Sequence, residues 1–150
     1  MSFKIEDIPK HRVAYMSQIG PYGANNQALM TSLKSWAISN DLLNESTVIL
    51  GIAHDNPDIT LPENCRYDVC IVIPNEFAIK DGNIHATELP GGKYAVFVIH
   101  HTAEDIQKAW SGILSELSNG GYSIDFIKLI LERYSLSMVN NHLCEICVPI

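Results

Sequence analysis

Asp68-Val-Cys-Ile-Val-Ile-Pro74 is echoed near the end of the chain by Glu145-Ile-Cys-Val-Pro149, and the fold follows from that echo. Each run closes a segment with the same order of local signals. In the first segment, Arg12-Val-Ala-Tyr-Met-Ser-Gln-Ile19 reads as a strand and Gly20-Pro21-Tyr22-Gly23 as a turn. Leu29, Leu33, Trp36, Ala37 and Ile38 then recur at helical spacing up to a stop at Asn40-Asp41. Thr47 to His54 and Tyr67 to Pro74 read as two strands, separated by the breaker Asp55-Asn56-Pro57.

The second segment repeats the order. Lys93 to His100 is a strand, and Thr102-Ala103-Glu104-Asp105 supplies an N-cap and early acids. Ile106, Ala109, Trp110, Ile113, Leu114 and Leu117 form a helical stripe that Asn119-Gly120-Gly121 terminates. Phe126 to Tyr134 and Leu143 to Ile150 are read as the last two strands. A period of about 80 residues is too long for a solenoid repeat.

The expected fold is α+β: duplicated β-α-β-β units with pseudo-twofold symmetry, an antiparallel sheet, a helix pair on one face and a central ligand groove. One domain spans 1–150, with repeat one at about 3–75, a connector at 76–89 and repeat two at about 90–150. The connector holds a short strand around Ile84 to Glu88.

Composition narrows the function. The 150 residues suffice for one core, with about 70% of the unfolded chain's surface buried. Apolar residues at 47% and charged residues at 18% exclude a disordered chain. Seventeen acids against ten Lys and Arg give a net charge of −7, and with no basic cluster direct nucleic-acid binding is not expected. No apolar run reaches the ~20 residues of a membrane span, and the first residues carry no targeting pattern, so the expected location is cytoplasmic.

Cys144-x-x-Cys147 is half of a zinc knuckle, but Cys65-x4-Cys70 matches the other half poorly, and no metal or other cofactor is expected. The phosphate-loop, dinucleotide and Gly-x-Ser-x-Gly signatures are absent. His100-His101 reads as a turn pair, since neighbouring strand residues point to opposite faces.

Glu132 is the most informative charge. Alternation puts Ile130, Glu132 and Tyr134 on one side and Leu129, Leu131 and Arg133 on the other. The carboxylate either snorkels out beside a Lys or Arg, which the pattern alone favours, or points into a cavity where a cation would complete it. Glu145 would lie beside Glu132 if the last two strands pair, giving two carboxylates on one face. Trp36 and Trp110 are core residues or walls of a pocket. Tyr15, Tyr67 and Tyr134 can line a wet cavity, and His54 carries little weight by itself.

Glu88-Leu-Pro-Gly-Gly-Lys-Tyr-Ala-Val96, the tryptophan-bearing helix, Gly121-Tyr122, Glu132-Arg-Tyr134 and Ile146-Cys-Val-Pro-Ile150 together resemble the GyrI-like small-molecule-binding domain. Arg12-Val-Ala, Gly20-Pro21-Tyr22, Asp55-Asn56-Pro57 and Cys65-Arg66-Tyr67-Asp68-Val69-Cys70 extend the resemblance to nearly the whole chain. The family includes the bacterial DNA gyrase inhibitory protein and the effector domains of AraC-type and MerR-type regulators.

The resemblance implies a central aromatic pocket holding a buried glutamate, and Glu132 stands at that position, which reverses the weighting given by pattern alone. Glu132, Tyr134, Glu145, Trp110, Trp36, Tyr15, Tyr67 and His54 are the ligand-site candidates. One departure is Lys128-Leu129-Ile130-Leu131, where relatives often carry Gly-Pro before the strand.

With only about ten residues ahead of the first strand, no DNA-reading segment is expected. The implied function is binding of small amphipathic, lipophilic and cationic or toxic compounds, for sensing or sequestration. The second reading is a hydrolase of strained electrophiles in which Glu132 activates water. The third is a protein partner, gyrase or a regulator.

Overall fold

The computed structural model describes residues 2–150. Strands β1 (Lys4–Ile8), β2 (His11–Ile19), β3 (Ile49–Ala53), β4 (Arg66–Val72), β5 (His85–Leu89), β6 (Gly92–His100), β7 (Leu131–Tyr134) and β8 (Leu143–Pro149) join helices α1 (Ala24–Ser39), α2 (Ala103–Asn119) and α3 (Leu136–Asn140). All eight strands form one sheet in the order β1-β6-β8-β7-β3-β4-β2-β5, antiparallel at every pairing.

The order reads as β2-α1-β3-β4 followed by β6-α2-β7-β8, with the two halves joined through β3 and β7. Each half receives its edge strand from the other side of the chain midpoint. β1, inside the stretch assigned to the first repeat, pairs with β6, while the connector strand β5 pairs with β2.

These exchanges curl the sheet. Ile8 ends β1 at one side of the sheet, and His11 begins β2 six strand positions away, about 29 Å if the sheet were flat. Two intervening residues let the chain cover at most about 11 Å from Ile8 to His11. The ends must therefore meet, and Pro9-Lys10 crosses Pro90-Gly91 where they do. A side chain on Gly91 would strike the backbone of Ile8, Pro9 and Lys10, so this crossing requires glycine.

Two apolar layers result. Under the helices, Leu33, Ala37, Ala109, Ile113 and Leu117 pack on Val69, Ile71, Phe97, Ile146 and Val148. On the opposite face, Val13, Leu50, Ile52, Val96, Leu131 and Cys147 are enclosed by the curl together with Ile8. α1 lies over β2 and β4 and α2 over β6, so the middle pair β3–β7 runs between them.

Both long helices end alike. Gly121 (φ 83°) follows α2, with Tyr122 N–H donating to Leu117 O and Gly121 N–H to Ser118 O. Asp41 (φ 55°) does the same after α1, with bonds from Leu42 to Ala37 and from Asp41 to Ile38. Matching these ends shows that Trp36 and Trp110 occupy different positions of the two helices.

α2 is capped by Thr102, whose Oγ1 accepts from Asp105 N–H at 3.1 Å. No helix is long and apolar enough to cross a membrane among the described residues.

The strand expected over 126–134 forms only at Leu131–Tyr134. Asp125 Oδ1 accepts from Ile127 N–H at 3.0 Å and Asp125 O from Lys128 N–H at 3.3 Å, which bends the chain before it can pair. Phe126 and Ile127 consequently project into solvent.

Candidate functional site at the junction of the repeats

The registers locate the pseudo-twofold axis. Asp68 stands opposite Ile52 on β3 as Glu145 stands opposite Arg133 on β7. With Asp68 matched to Glu145, Ile52 corresponds to Arg133 and Gly51 to Glu132. Gly51 and Glu132 also face each other directly across β3–β7, so the axis passes between them. One repeat puts a carboxylate there and the other puts no side chain at all.

Glu132 points to the helix-covered side between α1 and α2. Tyr134, two residues on and on the same face, donates its hydroxyl to Glu132 Oε2 at 2.6 Å. Tyr67 arrives from β4 with its hydroxyl over Gly51. A Cβ on Gly51 would clash with Tyr67 Oη and would stand 3.5 Å from Glu132 Oε2. Tyr22 meets Tyr67 edge-on at 6.1 Å, and its hydroxyl is fixed at 2.7 Å to Arg66 O. The His101 ring lies 5.1 Å from that of Tyr134.

Burial dominates the electrostatics here. It raises the Glu132 pKa above the ordinary carboxylate value, and the Tyr134 hydrogen bond offsets this only in part. Burial and the adjacent Glu132 charge raise the phenols of Tyr67 and Tyr134 as well. The Cys144 thiol, buried on the same face, is pushed up to about 12 by burial first and then by Glu132. It stays a neutral thiol, unsuited to nucleophilic work. His101 is lowered by burial and then by the charges of Lys34 and His142.

Of the acids on the sheet that are not fully exposed, Glu6, Asp68 and Glu145 each face a cationic or imidazole group. Glu132 forms no ion pair among the described residues.

The remaining candidates lie elsewhere. Glu132 stands opposite Ile146, so Glu145 is on the other face of the sheet, although β7 and β8 do pair. There it binds Arg133 Nε at 2.8 Å, with Arg133 also holding both oxygens of Glu6 at 2.7 and 3.0 Å. The two carboxylates expected on one face are thus divided: Glu132 is bonded to Tyr134 on the helix side, and Glu145 belongs to the Arg133 ion-pair cluster on the other.

Tyr15 is on that same opposite face, its ring 5.8 Å from His85, because its neighbour Ala14 is in the core under the helices. His54 Nε2 bonds Asp68 Oδ2 at 2.7 Å, likewise away from Glu132.

Trp36 meets Phe77 edge-on at 6.0 Å. It lines a shallow hollow of about 500 Å³ with Ser35, Ser39, Asn40, Lys80 and Asp81, on the flank of α1 turned toward the connector. Trp110 is 37% exposed beside the buried row Ala109, Ile113 and Leu117. Cys144 packs under the helices and Cys147 on the opposite face. No group of three or more metal-ligating side chains exists among the described residues.

Sequence reasoning missed Gly51 and gave His101 no role. The signal for Gly51 was present in the echo itself, since extending the match of Asp68 with Glu145 through the neighbouring strands sets Gly51 against Glu132. No comparable signal marks His101.

The chain matches the GyrI-like small-molecule-binding domain over residues 1–150. It is 43% identical over 151 residues to YosT, an SPbeta prophage-derived protein of Bacillus subtilis (strain 168) named as a transcriptional regulator, covering 100% of this chain and 99% of YosT. A DNA gyrase inhibitor of Escherichia coli (strain K12) is 28% identical over 119 residues, 78% of this chain and 74% of the inhibitor.

Among solved structures, EcmrR in a cryo-EM complex with DNA superposes with a TM-score of 0.77 at 16% identity. That match covers 99% of this chain and 56% of EcmrR, so this chain spans about half of that protein. SAV2435 bound to tetraphenylphosphonium superposes with a TM-score of 0.60 at 12% identity, over 99% of this chain and 93% of SAV2435. With the whole chain matched and its sheet order shared between two repeats, the protein belongs to the GyrI-like small-molecule-binding domain family.

Proposed function

We propose that this protein binds a small amphipathic organic cation between α1 and α2, with Glu132 as the counter-charge, and thereby senses or sequesters it. The observation that carries this reading is the half-buried Glu132 carboxylate, without a cationic partner among the described residues, in a sheet whose other shielded acids are all paired. Desolvation disfavours its charge, and a bound cation would return the lost stabilisation. Tyr134 and Tyr67 offer ring faces beside the carboxylate, which suits a cation carrying apolar groups. The tetraphenylphosphonium complex of SAV2435 supports the same class of ligand.

Tetraphenylphosphonium and the neutral triphenylphosphine oxide, each added to wild type and to Glu132→Gln in a thermal-shift assay, test the reading. A ligand at one hundred times its dissociation constant adds about 2.7 kcal/mol. For a domain of this size that corresponds to about 5–11 °C. The expected result is a cation-specific shift in wild type that Glu132→Gln abolishes. A cation shift that survives the substitution, or none at saturating concentrations, removes Glu132 from the site.

The gyrase inhibitor relative favours a second reading, contact with a protein partner, consistent with the net charge of −7. Inhibition of gyrase supercoiling by the purified protein is its test, and unaltered supercoiling at excess protein disposes of it.

A further inference from the structure

The Glu132 carboxylate is short of hydrogen-bond donors. Ionised, it offers about four lone-pair sites. Among the described residues Tyr134 Oη fills one of them, on Oε2 at 2.6 Å, and Oε1 receives no donor. Tyr67 Oη, on a residue only 5% exposed, also takes part in no hydrogen bond among the described residues, although its oxygen carries acceptor lone pairs. Tyr67 Oη lies in the room that exists because position 51 has no side chain, and the Glu132 carboxylate borders the same place through Oε2, 3.5 Å from where a Cβ on Gly51 would stand.

Resting on the cation reading above, we infer that the bound charge is a single one, carried on a nitrogen that bears N–H, and that Gly51 and Tyr67 set this preference. The charge is single because the pseudo-twofold axis holds one carboxylate. Gly51 occupies the place where exact symmetry would put a second glutamate.

The nitrogen bears hydrogen because a quaternary ammonium or phosphonium can meet Glu132 by charge alone and leaves Oε1 and Tyr67 Oη unfilled. A protonated amine donates to both, and hydrogen bonds to a charged group are the stronger kind. A side chain on Gly51 would drive the Tyr67 hydroxyl away from the carboxylate and remove one of the two acceptors.

The test uses two ligands with one apolar body, 3,3-diphenylpropylammonium and its N,N,N-trimethyl derivative, titrated calorimetrically into wild type, Tyr67→Phe, Gly51→Ala and Glu132→Gln at neutral pH. The readout is the ratio of the two dissociation constants within each protein. Comparing ratios between proteins cancels the different hydration of the two head groups.

Wild type is expected to prefer the primary ammonium by about tenfold or more. Tyr67→Phe and Gly51→Ala should each lower that preference by about threefold or more, and Glu132→Gln should weaken both ligands. Thermal unfolding verifies that each variant is folded, and Tyr67→Phe keeps the test decisive if Gly51→Ala is not. Equal affinities in wild type, or a ratio unchanged in Tyr67→Phe, overturn this inference and leave the cation reading intact. If neither ligand binds, or Glu132→Gln binds both as wild type does, the cation reading falls and this inference with it.

Discussion

Arg133→Leu separates what holds the sheet together from what faces the ligand. Arg133 donates through Nε to Glu145 at 2.8 Å and through Nη1 and Nη2 to both oxygens of Glu6 at 2.7 and 3.0 Å, tying β7 to β8 and to the edge strand β1. The Arg133 and Glu145 side chains are 16% and 9% exposed, so solvent screens this cluster little. Leucine fills much of the same space beside Leu50 and Leu131 but takes the cation from Glu145 and leaves Glu6 with the exposed Lys4, 3.6 Å away.

Removing one partner of a buried pair costs about 3–5 kcal/mol, which for 150 residues lowers the melting temperature by about 6–20 °C. The pH dependence gives the signature. Arg133 holds the Glu6 carboxyl below its ordinary 4.5, so the wild-type advantage is fully present above that value and is lost as pH falls through the lowered folded pKa.

Urea unfolding of both proteins at pH 7 and pH 3 measures this. A deficit below about 1 kcal/mol at pH 7, set against the 3–5 expected, or a full deficit persisting at pH 3, would refute the electrostatic account.

Two further substitutions probe the site and the helix ends. In Glu132 the folded-state pKa lies above the ordinary 4.5, so the unfolded chain ionises first and the wild type loses stability as pH rises through that window. Glu132→Gln, which does not titrate, should therefore gain stability relative to wild type from about pH 4.5 upward. Parallel stability–pH curves for the two proteins would contradict this. Asp41→Gly relieves a left-handed residue after α1, where α2 already uses Gly121, and should add about 0.5–1 kcal/mol. Differential scanning calorimetry checks it, and an unchanged or lowered melting temperature counts against it.

The sequence made the duplicated architecture readable because hydrophobic period and turn chemistry are local. The two long helices, the strands around them and the C-cap at Gly121 all follow from neighbouring residues. The exchange of edge strands does not. Pro9-Lys10 and Pro90-Gly91 look like ordinary hairpin connections, and nothing local tells that each links strands six positions apart in the sheet.

Glu145 shows the same limit at the site. Alternation within β7 and within β8 is readable, but the face on which two strands present their acids depends on register, and a shift of one residue exchanges the faces. The structure sets Glu132 against Ile146, so Glu145 falls to Arg133. Tyr15 and His54 are placed by the same parity.

That parity also explains how one short strand serves two purposes. Along Leu131-Glu132-Arg133-Tyr134, the odd-numbered residues enter the layer enclosed by the curl, where Arg133 finds Glu6 and Glu145. The even-numbered residues face the gap between the helices, where Glu132 is bonded to the Tyr134 phenol and to no cation among the described residues. Neither repeat could supply this arrangement by itself, because β7 meets β3 only at the junction, and there Gly51 leaves the room that the Tyr67 hydroxyl enters beside Glu132. A carboxylate can remain unpaired at this place because the cost of its desolvation falls on a strand already anchored, on its other face, by the Arg133 cluster. The prediction that Arg133→Leu lowers stability at pH 7 while Glu132→Gln gains on the wild type as pH rises is the direct consequence of that division.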